Sequence, residues 1–122
     1  MVVAGNIGSS MQSAELKELI LTALDDLKGI QLAALDVREL TDVTDYLVIA
    51  SGNSNRHVKS LADNVIDVVR QHGMRPLGVE GQTGADWVLV DFGDVVVHVM
   101  QPATRDFYDL ERLWSGAPDT AE

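Results

Sequence analysis

Apolar residues recur with helical spacing in two segments of the chain. In Leu16–Leu27 and in Val58–Val69 they fall three or four residues apart, which is the spacing of one helix face. Ser13 is a candidate cap before the first segment, and Gly29 and Gly73 follow the two segments as stop signals. The pattern predicts two amphipathic helices.

Other apolar runs predict strands. Residues 30–37 (IQLAALDV) form one run, and Tyr46–Ser51 (YLVIAS) is apolar without alternation, which suits a central strand covered on both faces. A polar connection, Leu40–Asp45, joins them. RPLGVEG predicts a further short strand, followed by a turn at QTGA.

The segment Trp87–Met100 (WVLVDFGDVVVHVM) contains two valine-rich runs with Phe92-Gly93-Asp94 between them. Its DFG letters match a kinase triplet, but the chain lacks the glycine-rich loop and strand lysine that a kinase needs. Glycine beside aspartate is hairpin-turn chemistry, so we interpret the segment as a hairpin. Pro102 suits the first turn of a last helix, in which Phe107, Leu110 and Trp114 would cover the sheet.

These elements together predict an α/β fold, with a mixed sheet of about five strands flanked by helices in a single layered domain. The domain is expected to span residues 13–115. Residues 1–12 are expected to be a flexible N-terminal extension, and residues 116–122, with the sequence GAPDTAE, a flexible tail.

Composition changes the picture mainly through charge. The 122 residues carry a formal charge of −10. Residues 61–122 hold 11 acids and 4 bases, against 8 acids and 5 bases in residues 1–60. Such a chain repels phosphate backbones and anionic membranes, so we expect a basic protein partner, no direct nucleic-acid readout and no membrane.

Cysteine is absent, which excludes disulfides and thiolate chemistry. There is no run of about eighteen apolar residues, and the first ten residues lack the basic start of a secretory signal. We therefore expect a cytoplasmic protein.

The turn Ser51-Gly52-Asn53-Ser54 precedes the second predicted helix, where a helix N-terminus could hold a phosphate. Serine and asparagine are also ordinary cap residues, so capping is the competing interpretation. A nucleotidyltransferase would need carboxylates converging on Mg²⁺, typically two at alternate positions of one strand, and no strand carries such a pair. We expect no catalytic residues, no cofactor and no metal.

The three histidines, His57, His72 and His98, match no ligand spacing. His72 near a helix C-terminus complements the dipole. His98 alternates with its valine neighbours, and we expect it at the surface or an interface rather than acting as a general base.

Trp87 shares a strand face with Leu89 and Asp91, whereas Val88 and Val90 point the other way. An aspartate is costly in a dry core, so Trp87 could anchor a partner, although a core position for this tryptophan stays open. Asp86, Asp91 and Asp94 would supply an acidic rim suited to a basic protein.

Four stretches, in this order and spacing, resemble the ribosomal silencing factor (Iojap-like) family: DYLVIASGNSNRHV, PLGVEG, ADWVLVDFGDVVVHVM and RDFYDLERLW. The resemblance runs from about Ser13 to Pro118. Any one of these stretches alone would be weak, whereas their combination is specific. The chain departs from the family in residues 1–10, which have no counterpart, and at Gly116, where an acidic residue is common.

The resemblance implies a fold similar in outline to nucleotidyltransferases but without their catalytic carboxylates. It implies binding to the large ribosomal subunit through a protein on its intersubunit face, large-subunit protein fourteen. Joining of the small subunit would then be blocked and translation repressed, and members tend to form homodimers. Carried onto this chain, the implied partner-binding residues are Glu80, Asp86, Trp87, Asp91, Asp94, His98, Arg105 and Tyr108. The rival hypothesis is a Mg²⁺-dependent nucleotidyltransferase with Ser51 and Ser54 on the phosphates.

Overall fold

A five-stranded mixed sheet forms the centre of the protein, in a computed structural model that describes residues 11–121. The strand order is β1-β2-β5-β4-β3; β2 and β5 are parallel, and the other neighbours are antiparallel. The predicted fold class is confirmed. The strands are β1 (Ile30–Asp36), β2 (Tyr46–Ser51), β3 (Gly78–Glu80), β4 (Trp87–Asp91) and β5 (Val95–Met100). The helices are α1 (Ser13–Asp26), α2 (Asn55–Gln71), α3 (Pro102–Tyr108) and α4 (Leu110–Leu113).

Helix α1 begins one residue earlier than its cap prediction. Gln12, not Ser13, is the N-cap, because its backbone N–H donates to the Glu15 carboxylate at 3.0 Å. Met11 packs partly against the core, so residues 11 and 12 belong to the folded unit. The rest of the predicted extension, residues 1–10, lies outside the described residues.

Helix α2 follows its prediction closely. Ser54 Oγ accepts the His57 N–H at 3.1 Å, so capping is the role of this serine. The predicted apolar face is fully buried, and its residues are Val58, Leu61, Ala62, Val65 and Val69.

The hairpin of β4 and β5 is confirmed. Gly93 has φ +88, a conformation that favours glycine, and its N–H donates to Asp91 Oδ1 at 2.7 Å. All six residues of β2 are buried, as expected of a strand covered on both faces.

The two faces of the sheet carry different cores. The first face packs under α1 and α2, and we call it the α1/α2 face; its β4 and β5 residues are Val88, Val90, Val95, Val97 and Val99. The opposite face carries a smaller cluster around Leu47, Ile49 and Met100, which α4 and the C-terminal segment cover in part. Trp87 and Val96 lie half-buried at the margin of that cluster.

The predicted last helix is divided at Asp109, whose φ is 48. This left-handed residue rotates the next turn, so Phe107 does not share a face with Leu110 and Trp114. Leu110 and Trp114 pack on the opposite face as predicted. The prediction for Phe107 is wrong, since it is 80% exposed.

The C-terminal segment also differs from the flexible tail that its composition predicts. Residues 117–121 run beside edge strand β1: the Asp36 N–H donates to the Pro118 carbonyl at 3.0 Å, and the Thr120 N–H to the Ala34 carbonyl at 2.7 Å. These backbone bonds cover the end of the β1 edge around Leu35, a long-range pairing that local composition does not reveal. In the part of the chain that the structure describes, no helix is long and apolar enough to cross a membrane.

Candidate partner-binding face

Trp87 lies half-buried on the face opposite α1 and α2. Its ring centroid is 5.8 Å from that of His98 and 4.7 Å from that of Tyr108. The indole Nε1–H donates to His98 Nδ1 at 3.0 Å. Trp87 is therefore neither fully buried nor free, because it packs against the margin of the opposite-face cluster and against two aromatic neighbours.

His98 points to the face predicted by alternation, but its predicted exposure is wrong. The side chain is only 8% exposed, because Trp87 lies beside it as a diagonal neighbour across the β4–β5 pair. An indole can only donate, so the neutral imidazole carries its proton on Nε2. Burial lowers the pKa of His98 to about 4, which keeps it uncharged at neutral pH.

The three acids of the predicted rim, Asp86, Asp91 and Asp94, do not surround Trp87. Glu80 pairs with Leu89 across the β3–β4 ladder, and Asp86 is exposed directly before Trp87. Asp91 lies at the other end of β4, roughly 13 Å away at about 3.3 Å per residue. Asp94 is exposed in the turn beyond it. The negative charge thus extends along the whole hairpin, and part of the Asp91 carboxylate is used inside the turn.

Tyr108 is 51% exposed at the end of α3, with its ring on Trp87. Phe107 meets Tyr108 edge to face, with ring centroids 5.0 Å apart. We call Trp87, Phe107 and Tyr108 the aromatic face. Helical spacing predicts Phe107 over the sheet, and the break at Asp109 explains why it is exposed instead.

The prediction that Arg105 faces a partner is wrong, because the residue is only 6% exposed. Its guanidinium donates to both carboxylate oxygens of Glu111, at 3.2 and 3.0 Å, and to Ser51 Oγ at 3.0 Å. The planar fork of arginine matches a carboxylate, which is how this charge is paired below the surface.

The surroundings of Ser51, Gly52 and Ser54 do not favour the nucleotidyltransferase hypothesis. Ser51 is completely buried and bonded to Arg105, and Ser54 Oγ caps α2. A Cβ at Gly52 would lie 2.9 Å from Val58, so this glycine allows α2 to pack closely. Within residues 11–121 no three His, Asp or Glu side chains converge as a metal site.

Similarity to known proteins extends over most of the chain. A family model described as "Ribosomal silencing factor during starvation" matches residues 10–122. The Ribosomal silencing factor RsfS of Chromobacterium violaceum is 46% identical over 106 residues, which cover 87% of each chain. A crystal structure of a protein from that organism superposes with a TM-score of 0.85 at 46% identity, covering 86% of this chain and 88% of that one. The mouse protein "Mitochondrial assembly of ribosomal large subunit protein 1" is 40% identical over 75 residues, or 59% of this chain and 33% of its own length.

Proposed function

The chain belongs to the ribosomal silencing factor family, and we propose that it is a non-enzymatic protein that docks on the large ribosomal subunit, blocks joining of the small subunit and so represses translation. The name of the mouse relative supports the large subunit as the place of action. Competition of this kind requires occupied volume and adequate affinity but no catalysis.

The partner that we propose is a basic protein on the intersubunit face, large-subunit protein fourteen, as the family resemblance implies. A formal charge of −10 disfavours direct contact with ribosomal RNA and favours a positively charged protein surface. Protein contact would therefore carry the affinity, while repulsion from the surrounding RNA would limit other modes of docking.

The observation that carries this proposal is the aromatic face. Three aromatic side chains lie together on the less covered side of the sheet, and two of them, Phe107 and Tyr108, are more than half exposed. Tryptophan and tyrosine are enriched among residues that dominate binding energy. Glu80 and Asp86 on one side, and Asp91 and Asp94 further along the hairpin, would meet the basic partner.

We also propose that the protein acts in the cytoplasm and forms a homodimer, both of which the resemblance implies. Analytical ultracentrifugation over a range of concentrations would test the second point, with a single monomeric species contradicting it.

Sedimentation of ribosomal subunits tests the main proposal. Adding the purified protein to a mixture of subunits should reduce the joined ribosome peak in a sucrose gradient, with the protein found only in the large-subunit fraction. Unchanged subunit joining, or sedimentation with the small subunit alone, would contradict the proposal.

The nucleotidyltransferase remains the second candidate. It requires a Mg²⁺-nucleotide complex, so calorimetric titration with ATP and with CTP in the presence of Mg²⁺ should release heat if it is right. We expect flat titrations, since Ser51 is buried and Ser54 is used as a helix cap.

A further inference from the structure

Helix α3 has a single buried side chain. Of its seven residues, only Arg105 is buried, whereas Phe107 and Tyr108 are exposed. A helix of this length has little stability of its own and normally depends on packing of an apolar face. We therefore expect the polar contacts of Arg105 to contribute strongly to the position of α3, beside the contact of Tyr108 with Trp87.

The contacts of Arg105 join three parts of the chain. Its bond to Ser51 reaches the end of β2, and its paired bonds to Glu111 reach α4. The guanidinium also approaches the Ile30 carbonyl at the start of β1, at 3.5 Å. Because the guanidinium is planar and its donors have fixed directions, these acceptors determine its orientation as well as its location.

The pair formed by Arg105 and Glu111 spans the break between the two short helices. Asp109 lies between them in the left-handed conformation, and its N–H donates to the Arg105 carbonyl at 2.8 Å. Tyr108 is three residues after Arg105, about one helical turn away. A change in the angle at this break would consequently move the Tyr108 ring across Trp87.

We propose that Arg105 is a positioning residue for the aromatic face. By joining β2, α3 and α4, it holds Tyr108 against Trp87 in the arrangement that the large subunit recognises. This inference rests on the proposed function. Arg105 itself does not touch the partner, and its effect on affinity comes from arranging the aromatic face before binding.

Three variants separate this role from general stabilisation. Arg105→Lys keeps the positive charge but cannot reach Ser51 and both oxygens of Glu111 together. Glu111→Gln keeps the shape of the half-exposed acceptor and removes its charge, which is a milder change if Arg105→Lys folds poorly. Arg112→Lys is the matched control, because it makes the same charge-conserving exchange at an exposed arginine of α4.

The direct readout is the contact between the two rings. In solution NMR, the wild-type protein should show nuclear Overhauser effects between Trp87 and Tyr108, whose centroids are 4.7 Å apart. We expect Arg105→Lys and Glu111→Gln to weaken these effects and shift the Trp87 indole N–H resonance, while the amide spectrum of α1 and α2 stays native. Affinity for large subunits should fall about tenfold for Arg105→Lys, as loss of preorganisation predicts.

Two results would overturn the inference. One is that folded Arg105→Lys and Glu111→Gln proteins keep the contact between Trp87 and Tyr108. The other is that they lose this contact and still bind large subunits as tightly as Arg112→Lys. Failure of the proposed function looks different. In that case the wild-type protein itself would not sediment with large subunits, whereas the ring contact would still respond to the Arg105 variants.

Discussion

The two faces of the sheet are covered by different means. On the α1/α2 face, two long helices bury a continuous valine-rich and leucine-rich core. On the opposite face, α3 and α4 are short, the apolar cluster is smaller, and Arg105 and the pair of Trp87 and His98 supply polar contacts. The first arrangement stabilises by removing apolar surface from water. The opposite face buries less apolar surface and depends more on directed hydrogen bonds. This arrangement leaves aromatic surface exposed.

The largest expected effect contrasts a leucine from each face. Leu61 is fully buried in α2, so Leu61→Ala should lower the free energy of unfolding by about 3 kcal/mol through lost burial and a residual cavity. Leu89 is half-buried on the opposite face, so Leu89→Ala should lower the free energy of unfolding by only about 1 kcal/mol. Urea denaturation of both variants measures the difference, and equal losses would show that the two faces contribute alike.

The next effect is a pH dependence of stability that arises from His98 on the opposite face. His98 has a folded-state pKa of about 4 against an ordinary value of 6.5. The unfolded chain therefore binds a proton first as the pH falls. The stabilisation is complete above pH 6.5 and is lost on acidification to about pH 4, a change of roughly 3 kcal/mol for this one group.

Replacement of His98 by glutamine tests this expectation, because glutamine can still accept from the Trp87 indole. The wild-type protein should lose more stability between pH 6.5 and 4 than His98→Gln, whereas His72→Gln, an exposed control on the end of α2, should behave as wild type. Parallel pH profiles for wild type and His98→Gln would show that burial of this imidazole does not couple folding to pH.

These contrasts also explain which features the sequence could reveal. The faces of α2, the burial of β2 and the β4–β5 turn depend on neighbours a few residues apart, and all three were predicted correctly. Arg105 was misplaced, because its partners Ser51 and Ile30 are 54 and 75 residues away. The pairing of residues 117–121 with β1 is similarly distant, and no local pattern indicates it. Strand alternation predicts the face of the sheet on which His98 lies, but it does not predict that the Trp87 indole buries this residue.

A moderate effect is expected at Trp87, where stability and binding can be separated. Trp87→Ala should weaken association with large subunits by about 2 kcal/mol, close to thirtyfold, if this residue anchors the partner. Trp87→Phe should largely keep the packing with Tyr108 but leave His98 Nδ1 without its donor, at a cost of about 1 kcal/mol in stability.

Thermal unfolding and subunit sedimentation together distinguish the two variants. Trp87→Phe keeps an aromatic ring and should therefore bind large subunits much better than Trp87→Ala. Both variants lack the hydrogen bond to His98 and should therefore be less stable than the wild-type protein. A Trp87→Ala protein that binds large subunits normally would rule out the anchor role, whatever its melting temperature.

The smallest effect should come from Asp91, at the far end of the hairpin from Trp87. Asp91→Asn removes the charge but retains Oδ1, which accepts the Gly93 N–H in the turn, so stability should change little. Affinity for large subunits should fall by about 0.5 kcal/mol at low salt, and the difference should shrink as salt rises, because exposed charges are screened within about 8 Å at physiological ionic strength. Asp63→Asn, which removes an exposed charge from α2 behind the α1/α2 face, is the control and should leave affinity unchanged. If Asp63→Asn weakened binding as much as Asp91→Asn, the contribution would come from net charge alone, and the acids along the hairpin would have no special place in recognition.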